Sequence, residues 1–365
     1  MSENKIIILM DDEIFSIQDN YGGISKINAD YLNFFCKDKI INFKLPFHFS
    51  NNSYLKKTDF KKIPLFKNFN IFKKDRLLSK LNSINIKKEI IKNKHDILHL
   101  TYMNIDLLYS NKKVSTCIIH DTIPEKYPKY FNKLNFFFER KELLLNYCNK
   151  IIANSNTTKN DLLSYYKIDE SKIEVIHPSI DCQNEPNVEV IELPKKYIMY
   201  VGKRSGYKNF LIVLELLKKC LKKYSITLLC VGGEDLTKEE NYFLNENNLQ
   251  ELFLLRKLNN SELNYAYQNA IYFIYSSLYE GFGIPILEAQ RNGCLVLCNN
   301  ISAFNEVGKD TVIYYNDFNE LIHLSDEIIN NKFKKLKIAG RQNILRFNNF
   351  DIKKKVKNFY INALN

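Results

Sequence analysis

The chain has 365 residues, of which 45% are hydrophobic and 26% are charged, a composition typical of globular proteins. Its length predicts two domains rather than a single core. Lys and Arg exceed Asp and Glu, 53 to 41, which gives a net charge of +12. No apolar run reaches the roughly 18–20 residues of a membrane-spanning helix, and acids directly follow the first apolar run, which argues against a signal peptide. We therefore expect a cytoplasmic chain.

The positive charge is concentrated in residues 53–95, where thirteen Lys and Arg stand against Asp59, Asp75 and Glu89. Aromatic side chains alternate with the lysines in this segment. Such a mixture is compatible with a solvated surface, with peripheral contact to an anionic membrane or a phosphate-bearing acceptor, and with single-stranded nucleic acid. The sequence leaves these alternatives open.

The eight cysteines are scattered and form no CxxC pair, so we expect buried free thiols rather than disulfides or a metal site. They stand at positions 36, 117, 148, 182, 220, 230, 294 and 298.

Short apolar strands alternate with helical stretches along the whole chain, in two series. Continuous apolar strands separated by amphipathic helices predict parallel sheets covered on both faces. Strands are predicted, in chain order, at 5–10, 96–102, 114–121, 150–155 and 172–178, and then at 196–202, 226–233, 251–258, 270–277, 294–300 and 311–315.

A polar stretch with two prolines at 182–194 separates the two series and predicts the domain boundary. We expect one Rossmann-like domain at 1–185 and a second at 186–345. A terminal helix at 346–365 is expected to pack back on the first domain. Ligands of doubly wound parallel sheets bind beyond the carboxyl ends of the strands, so candidate functional residues are sought there.

The most informative segment is EGFGIPILE, from Glu280 to Glu288, directly after a predicted strand. Pro285 suits the first turn of a helix, where its missing N–H has no partner to lose. Gly281 and Gly283 let the backbone approach a ligand closely. The amides at the start of this helix are expected to receive a diphosphate. The two carboxylates, one in the loop and one about a turn into the helix, should reach different parts of one extended ligand.

A basic segment, VGKRSGYKN, follows the first predicted strand of the second series. Arg204 offers a planar fork and Lys208 a point charge, so both can neutralise a diphosphate as it departs. Lys203 is a further cation without a predicted role.

Two features of the first half lie just beyond predicted strands. His120 and Asp121 end the strand at 114–121, and Gly22 and Gly23 lead from the first strand region into a helix. Two glycines at a helix start can approach a phosphate or an acceptor. The acidic loop before them, 11–20, either admits a hydroxylated acceptor or is solvated.

These segments resemble motifs of glycosyltransferase family 4, the group 1 glycosyltransferases, which are retaining enzymes with the GT-B fold. The segment from Glu280 to Glu288 resembles the family's E-x7-E motif, the segment with Arg204 and Lys208 its GxR…YKN segment, and His120 its HD motif. The resemblance extends over nearly the whole chain and is weakest at 40–95.

The resemblance implies α/β architecture of the GT-B type, with two Rossmann-like doubly wound domains facing a central cleft. It also implies that Glu280 touches the donor sugar, Glu288 the ribose hydroxyls, Arg204 and Lys208 the diphosphate, and His120 the sugar hydroxyls. The predicted catalytic residues are Glu280, His120, Arg204 and Lys208. The predicted donor-binding residues are Gly22, Gly23, Arg204, Lys208, Lys257, Leu258, Glu280, Gly281, Phe282, Gly283, Ile284 and Glu288, where Lys257 and Leu258 follow the strand expected to contact the nucleobase.

The implied reaction moves a hexose, with retention, from a nucleotide-diphospho-sugar to a hydroxyl of a glycan or lipid-linked oligosaccharide. The implied setting is the synthesis of a bacterial surface polysaccharide of the O-antigen or capsule type, at the inner face of the membrane. No DxD pair follows a strand suitably, so neither a metal nor another cofactor is expected. Glu280 is expected to act by position and charge rather than as a covalent nucleophile.

Other functions compete with this hypothesis. A nucleotide-sugar epimerase can have the same fold, but the complete 280–288 segment and the Arg204–Lys208 pair argue against it. A phosphorylase would need a longer chain, and a non-catalytic nucleic-acid-binding protein would use residues 53–95; no nucleic-acid partner is expected. The donor base, the sugar, the acceptor and the oligomeric state stay open.

Overall fold

A computed structural model of the chain describes residues 5–18, 22–60, 62–64, 74–131, 134–204 and 206–365. The chain divides into two compact units, and each is described by itself. The first unit comprises Met1–Ser179 and Asn349–Asn365, and the second comprises Ile180–Asn348.

Among its described residues, the first unit has six parallel strands in the spatial order β2-β1-β3-β4-β5-β6. The strands are β1 Ile6–Met10, β2 Ile41–Lys44, β3 Ile97–Leu100, β4 Val114–Ile119, β5 Lys150–Ala153 and β6 Ile173–Val175. The α-helices are α1 Glu13–Ile17, α2 Gly23–Phe35, α3 Lys74–Ile91, α4 Ile123–Lys126, α5 Leu134–Tyr147, α6 Asn156–Tyr165 and, after the second unit, α14 Asn349–Asn362. Short 3-10 helices lie at Leu55–Lys57, Ile105–Ser110, Pro128–Tyr130 and Glu170–Lys172.

Outside the undescribed position 205, the second unit also has six parallel strands, in the order β12-β11-β10-β7-β8-β9. They are β7 Tyr197–Val201, β8 Thr227–Val231, β9 Phe253–Arg256, β10 Tyr272–Tyr275, β11 Leu295–Asn299 and β12 Ile313–Tyr315. The α-helices are α7 Phe210–Lys219, α8 Lys238–Glu246, α9 Asn260–Asn269, α10 Ile284–Arg291, α11 Ser302–Gly308, α12 Phe318–Ile329 and α13 Leu336–Asn343. The 3-10 helices are Gly206–Lys208, Leu221–Tyr224, Gln250–Leu252, Lys309–Thr311 and Ile344–Phe347.

The two parallel sheets confirm the predicted α/β class. In β7, Tyr197 and Met199 pack into the core on one face of the sheet, while Ile198 and Tyr200 pack into the core on the other. Both faces are therefore covered, which is why the strand sequences are continuously apolar.

One strand was not predicted. Ile41–Lys44 lies at the edge of the first sheet, with Ile41 and Phe43 buried and Asn42 exposed. Its alternating sequence lacks the continuous apolar run that identified the others, because an edge strand need not bury every side chain.

The second unit begins six residues before the predicted boundary, at Ile180 rather than at 186. The reason lies in the chain's contacts: the Ile180 amide donates to the Phe347 carbonyl at 2.8 Å, and Cys182 Sγ lies 3.1 Å from the Ile344 carbonyl oxygen. Further on, Glu189 donates its amide to the carbonyl of Ser261 at 3.2 Å. The predicted linker is thus held on the second unit.

The terminal helix α14 belongs to the first unit and begins at Asn349. Tyr360 is fully buried there, with its ring 5.7 Å from that of Phe43 and 5.6 Å from that of His99. Lys357 Nζ lies 3.1 Å from Asp38 Oδ1. None of the described helices combines the length and apolarity needed to span a bilayer.

Candidate functional site

Two of the predicted catalytic side chains meet at the carboxyl ends of β7 and β10. Lys208 Nζ lies 2.5 Å from Glu280 Oε1, and the Ser277 hydroxyl donates to the same oxygen at 2.7 Å. Glu280 is 9% exposed. Because β7 and β10 are neighbours in the sheet, residues 72 positions apart form one hydrogen-bonded ion pair, in which Glu280 is buried and Lys208 is half-buried.

Two tyrosine rings surround the ammonium group of this pair. Lys208 Nζ lies 5.2 Å from the centre of the Tyr207 ring and 5.9 Å from that of Tyr275. The faces of aromatic rings are negative and attract a cation. Burial, first, and then the Glu280 carboxylate raise the pKa of Tyr275 well above its usual value. Tyr275 is therefore a neutral phenol, and the Lys208 side chain is largely shielded from solvent.

Backbone contacts fix the two loops against each other. The Leu278 amide donates to the Tyr207 carbonyl at 2.8 Å, and the Ser276 hydroxyl donates to the Lys208 carbonyl at 2.8 Å. These bonds lock the loop after β7 to the loop after β10. The Lys208–Glu280 geometry is therefore set by the scaffold before any ligand arrives.

Helix α10 begins beside Glu280, as predicted from the glycines and the proline. Gly283 precedes it with φ of +118° and has no side chain to cap it, and Pro285 occupies the first turn. A Cβ on Gly283 would lie 3.2 Å from the Phe304 ring, so only glycine fits there without strain. In this turn Pro285 has no N–H, and the Ile286 amide donates to the Gly283 carbonyl at 3.0 Å. The helix start therefore offers an anion the positive end of the helix dipole and the Ile284 amide.

The remaining predicted donor residues of this segment differ in exposure. Gly281 is buried, and the Phe282 side chain packs into the core with its ring 5.5 Å from that of Phe347. Ile284 and Glu288 are half-buried, and Glu288 lies one helical turn beyond Ile284. Glu280 and Glu288 thus stand on the loop and the helix respectively, as predicted.

Lys257 and Leu258 follow β9 at the edge of the same sheet. Lys257 is exposed, and Leu258 is half-buried against the core. Since β8 and β7 separate β9 from β10, three strand spacings, or about 14 Å, lie between these residues and Glu280. The predicted base and sugar contacts therefore stand at two ends of one row of strand termini.

Arg204 is placed differently from what its predicted role requires. Its Nε donates to Glu240 Oε1 at 3.0 Å, and its Nη2 donates to the carbonyls of Glu234 at 2.6 Å and Asp235 at 3.1 Å. Its Nη1 donates to the Gly232 carbonyl at 3.3 Å, and the side chain is 5% exposed. The guanidinium thus holds the loop between β8 and α8, and it does not reach Lys208 or Glu280 by any described bond.

The first unit contains His120, just after β4, and it is buried with 6% exposed. Asn154 Nδ2 lies 2.9 Å from His120 Nδ1. Burial lowers the pKa of His120 to about 3, although a backbone contact with Thr101 partly opposes this. His120 is therefore a neutral imidazole at physiological pH. It lines a small hollow of about 20 Å³, which it shares with Tyr102 and Lys141 and which is large enough for about one water.

The predicted glycine pair stands at the start of α2, where Gly22 precedes the helix and Gly23 begins it. The Ser25 amide donates to Gln18 Oε1 at 2.9 Å. A Cβ on Gly22 would lie 2.1 Å from that oxygen. The Gln18 side chain therefore occupies the place where a phosphate was expected, while Tyr21 lies outside the described residues.

Sequence reasoning missed a buried acidic group after β1. Asp11 and Asp12 are both 0% exposed, so the solvated-loop alternative is wrong for them. The Thr101 amide donates to Asp11 Oδ1 at 2.8 Å, and Asn82 donates to Asp12 at 2.8 Å. Burial raises the pKa of Asp11 to about 7, opposed by the hydrogen bond from Thr101 and assisted by repulsion from Asp12. Burial, and then repulsion from Asp11, raises the pKa of Glu13 to about 8. The available signal was their position directly beyond a buried strand.

Other supporting residues were also missed. Ser277, Tyr207 and Tyr275 support the Lys208–Glu280 pair, and Glu240 binds Arg204 while forming a capping box with Thr237. The sequence TKEE shows the capping box, but a partner 36 positions away along the chain has no local signal.

Two family models match the chain, and together they extend from residue 50 to residue 345. "Glycosyl transferases group 1" matches residues 181–345, and "Glycosyltransferase Family 4" matches residues 50–184. The chain belongs to the group 1 glycosyltransferases of family 4. This confirms the resemblance drawn from the motifs.

Similar proteins include three bacterial glycosyltransferases, two of them named for O-antigen or capsular polysaccharide synthesis. The O-antigen chain mannosyltransferase RfbU of Salmonella typhimurium is 26% identical, covering 56% of this chain and 57% of its own. The N-acetylgalactosamine-N,N'-diacetylbacillosaminyl-diphospho-undecaprenol 4-alpha-N-acetylgalactosaminyltransferase of Campylobacter jejuni is 27% identical, covering 54% of this chain and 52% of its own. The capsular polysaccharide biosynthesis glycosyltransferase CapH of Staphylococcus aureus is 25% identical, covering 70% of this chain and 71% of its own. The matches thus span little more than half the length of the first two relatives.

Solved structures share the fold. Sucrose-phosphate synthase of Thermosynechococcus elongatus superposes with a TM-score of 0.75 at 16% identity, over 98% of this chain and 99% of that one. Anabaena Alr3699/HepE, in complex with UDP and glucose, superposes with a TM-score of 0.72 at 15% identity, over 97% of this chain and 99% of that one. These similarities confirm the predicted GT-B fold.

Proposed function

We propose that the chain transfers a hexose from a nucleotide-diphospho-sugar to a hydroxyl of a glycan or lipid-linked acceptor, in the synthesis of a bacterial surface polysaccharide. The observation that carries the proposal is the partly buried Lys208–Glu280 pair beside the start of α10, in a chain of this family. The names of the similar enzymes support the setting. Acceptors of this kind place the enzyme on the cytoplasmic side, at the inner face of the membrane.

The second unit supplies the groups that would bind the donor diphosphate. An ammonium has three N–H donors, so Lys208 can keep its bond to Glu280 and still donate to a phosphate oxygen. The first-turn amides of α10 add fixed positive dipole close by. Preorganised charge of this kind stabilises the leaving diphosphate while the glycosidic bond breaks.

We assign Glu280 to positioning. Its carboxylate already accepts hydrogen bonds from Lys208 and Ser277, which holds the oxygens as acceptors for a sugar hydroxyl. In the proposed retaining step, the acceptor oxygen bonds to the anomeric carbon on the face that the phosphate leaves. The bond from that carbon to the phosphate oxygen breaks, and the acceptor proton passes to the departing phosphate. A covalent sugar trapped on Glu280 and seen by mass spectrometry would overturn this role.

The first test measures nucleotide binding by thermal shift with UDP, GDP, ADP and TDP. A ligand that binds only the folded state raises its stability with concentration, so the correct nucleotide should give the largest shift. Lys208→Gln, which keeps a donor toward Glu280 but removes the charge, should reduce that shift strongly. Lys335→Gln, on the exposed surface of the same unit, is the matched control.

Transfer itself is tested with the matching radiolabelled donor and a lipid-linked acceptor extract. The proposal requires label in the acceptor fraction that depends on Lys208. If no nucleotide shifts the transition and no donor is consumed, the proposed function is wrong. Recovery of an epimerised nucleotide-sugar without transfer would instead favour the epimerase alternative.

Metal independence is part of the proposal and has a separate test. Fixed cations and amides would do the work of a metal at the diphosphate, so activity should persist in a chelator. Loss of activity in chelator and its return with Mg²⁺ or Mn²⁺ would contradict this element alone.

A further inference from the structure

Helix α3 of the first unit presents an apolar stripe to solvent. Leu77, Ile84 and Ile91 are 40%, 54% and 74% exposed, and Leu81 beside them is 36% exposed. The first three are seven residues apart, which is about 20° short of two helical turns, so they form one line along the helix. The opposite face, with Leu78, Asn82, Ile86 and Ile90, is buried against the unit. The stripe is therefore a second apolar face, which the described part of the chain leaves exposed.

Lysines border this stripe on both sides. By helical position, Lys80 and Lys87 lie on one side of the line of Leu77, Ile84 and Ile91, and Lys88 lies on its other side, in line with Leu81. All three lysines are exposed. From Leu77 to Lys94 the sequence has five lysines and a single acid, Glu89. Lysine stems can cover apolar surface while their charged ends reach outward.

A basic hollow of about 480 Å³ adjoins the end of the same helix. Lys44, His48, Lys88 and Lys92 line it, together with Glu89, which pairs with Lys92. Its size and its cations suit a phosphate group. Lys88 thus lies both beside the apolar stripe and at a place for an anionic head group.

We propose that this face of α3, the stripe with its lysines and the adjoining hollow, docks the protein onto an anionic lipid surface. Charge decides the occupant. A second copy would bring the same lysines opposite these, which repels, whereas an anionic leaflet attracts them. The stripe would insert at the level of the head groups, as interfacial amphipathic helices do.

The inference deepens the proposed function, because it names the surface that would bring the chain to a lipid-linked acceptor. It narrows the basic-segment hypothesis drawn from the sequence, because α3 and its lysines lie within residues 53–95. The docking residues are the aliphatic stripe of α3, and the aromatic residues 66, 69 and 72 lie outside the described part of the chain.

The test is co-sedimentation of the full chain with vesicles of phosphatidylcholine alone or mixed equally with phosphatidylglycerol. Binding is expected to the mixed vesicles and to fall as salt rises. The triple variant Leu77→Gln, Ile84→Gln, Ile91→Gln should bind roughly 10- to 100-fold more weakly. Replacing Lys80, Lys87 and Lys88 with Gln should weaken binding by roughly 5-fold per lysine.

Matched controls use similarly exposed side chains away from α3, all in the second unit except Lys354. The control for the stripe variant changes three exposed aliphatic residues to Gln: Leu211, Ile338 and Leu345. The control for the lysine variant changes three exposed lysines to Gln: Lys334, Lys335 and Lys354 of α14. These variants should bind vesicles like the unchanged chain. All variants should keep the nucleotide-induced thermal shift, so a folding defect or a failed donor site is visible separately.

Three results would overturn the docking proposal: no binding to mixed vesicles, equal binding by the stripe variant, or a dimer in sedimentation equilibrium that the stripe variant abolishes. The last would make the face an interface between copies. Failure of the nucleotide panel with vesicle binding intact would count against the proposed function and leave the docking surface standing.

Discussion

Buried charges in this chain come with partners, and the partners indicate what each charge does. Lys208 and Glu280 pair beside the start of α10, the positive end of that helix. Arg204 pairs with Glu240 and with three carbonyls of a neighbouring loop, which leaves its donors engaged. A buried charge without its partner is costly. Two cations from one motif therefore have different partners in the structure. Lys208 bonds to a carboxylate beside the start of α10, whereas Arg204 bonds to Glu240 and to loop carbonyls.

Replacing Arg204 should first reduce stability. Arg204→Met is expected to lower the free energy of unfolding by about 3 kcal/mol or more, because it leaves Glu240 and the loop carbonyls without donors. A double-mutant cycle with Glu240→Gln, measured by urea unfolding, should show coupling of about 1–3 kcal/mol. Unchanged unfolding together with lost nucleotide binding would show that Arg204 is a diphosphate ligand after all.

The buried acids of the first unit predict a pH dependence. The pKa of Asp11 is raised to about 7 in the folded chain from 3.8, so the unfolded chain loses its proton first. The stabilising effect of the protonated form is fully present below the unfolded pKa and is lost as pH rises toward about 7. Asp11→Asn keeps the acceptor for the Thr101 amide but cannot ionise.

Relative to the unchanged chain, Asp11→Asn should therefore gain stability as pH rises from about 4 to about 7. The gain should be on the order of 1–4 kcal/mol. Urea unfolding at several pH values measures this gain. Asp59→Asn, at an exposed carboxylate, is the control. A difference between the two chains that does not change with pH would show that Asp11 is charged in the folded state.

At the scale of elements, the start of α10 depends on a backbone conformation that only glycine adopts readily. Gly283 has φ of +118°, and the Phe304 ring closes the space where a side chain would stand. The helix start and the Lys208–Glu280 pair share the loop from 276 to 283. Strain at Gly283 should therefore reach both the amides and Glu280.

Gly283→Ala is expected to cost about 1–3 kcal/mol of stability and to weaken nucleotide binding. Pro285→Ala in the same turn should cost less than about 1 kcal/mol, since it changes only the unfolded chain's freedom. Thermal unfolding with and without the best nucleotide gives both quantities. Equal effects of the two variants would show that the glycine conformation is not needed.

At the scale of the whole molecule, the last helix belongs to the first unit although the second unit separates them along the chain. Tyr360→Ala should lower stability by about 3–5 kcal/mol, because it removes a fully buried ring packed on Phe43 and His99. Phe350→Ala on the same helix, 69% exposed, should change it by less than about 0.5 kcal/mol.

Hydrogen exchange can locate these two effects. Tyr360→Ala should raise exchange in the first unit, while nucleotide should still protect amides around 202–208 and 280–285 in the second. Loss of nucleotide protection in Tyr360→Ala would mean that the donor site depends on the first unit's packing.

By itself, the sequence determined the two series of buried strands, the glycine-proline start of α10 and the order of donor-site residues along the chain. These are local patterns: continuous apolar runs identify covered strands, and glycine and proline mark where a helix begins. It could not show β2, because a half-exposed edge strand lacks that pattern.

Only the tertiary structure decided which charges meet. Neighbouring strands in the sheet bring Lys208 to Glu280 across 72 positions, and a loop between β8 and α8 takes Arg204 to Glu240. Burial of Asp11 and Asp12 and exposure of the α3 stripe likewise depend on what each element packs against. Partner choice and burial are properties of packing between distant segments, and a local sequence pattern contains no record of them.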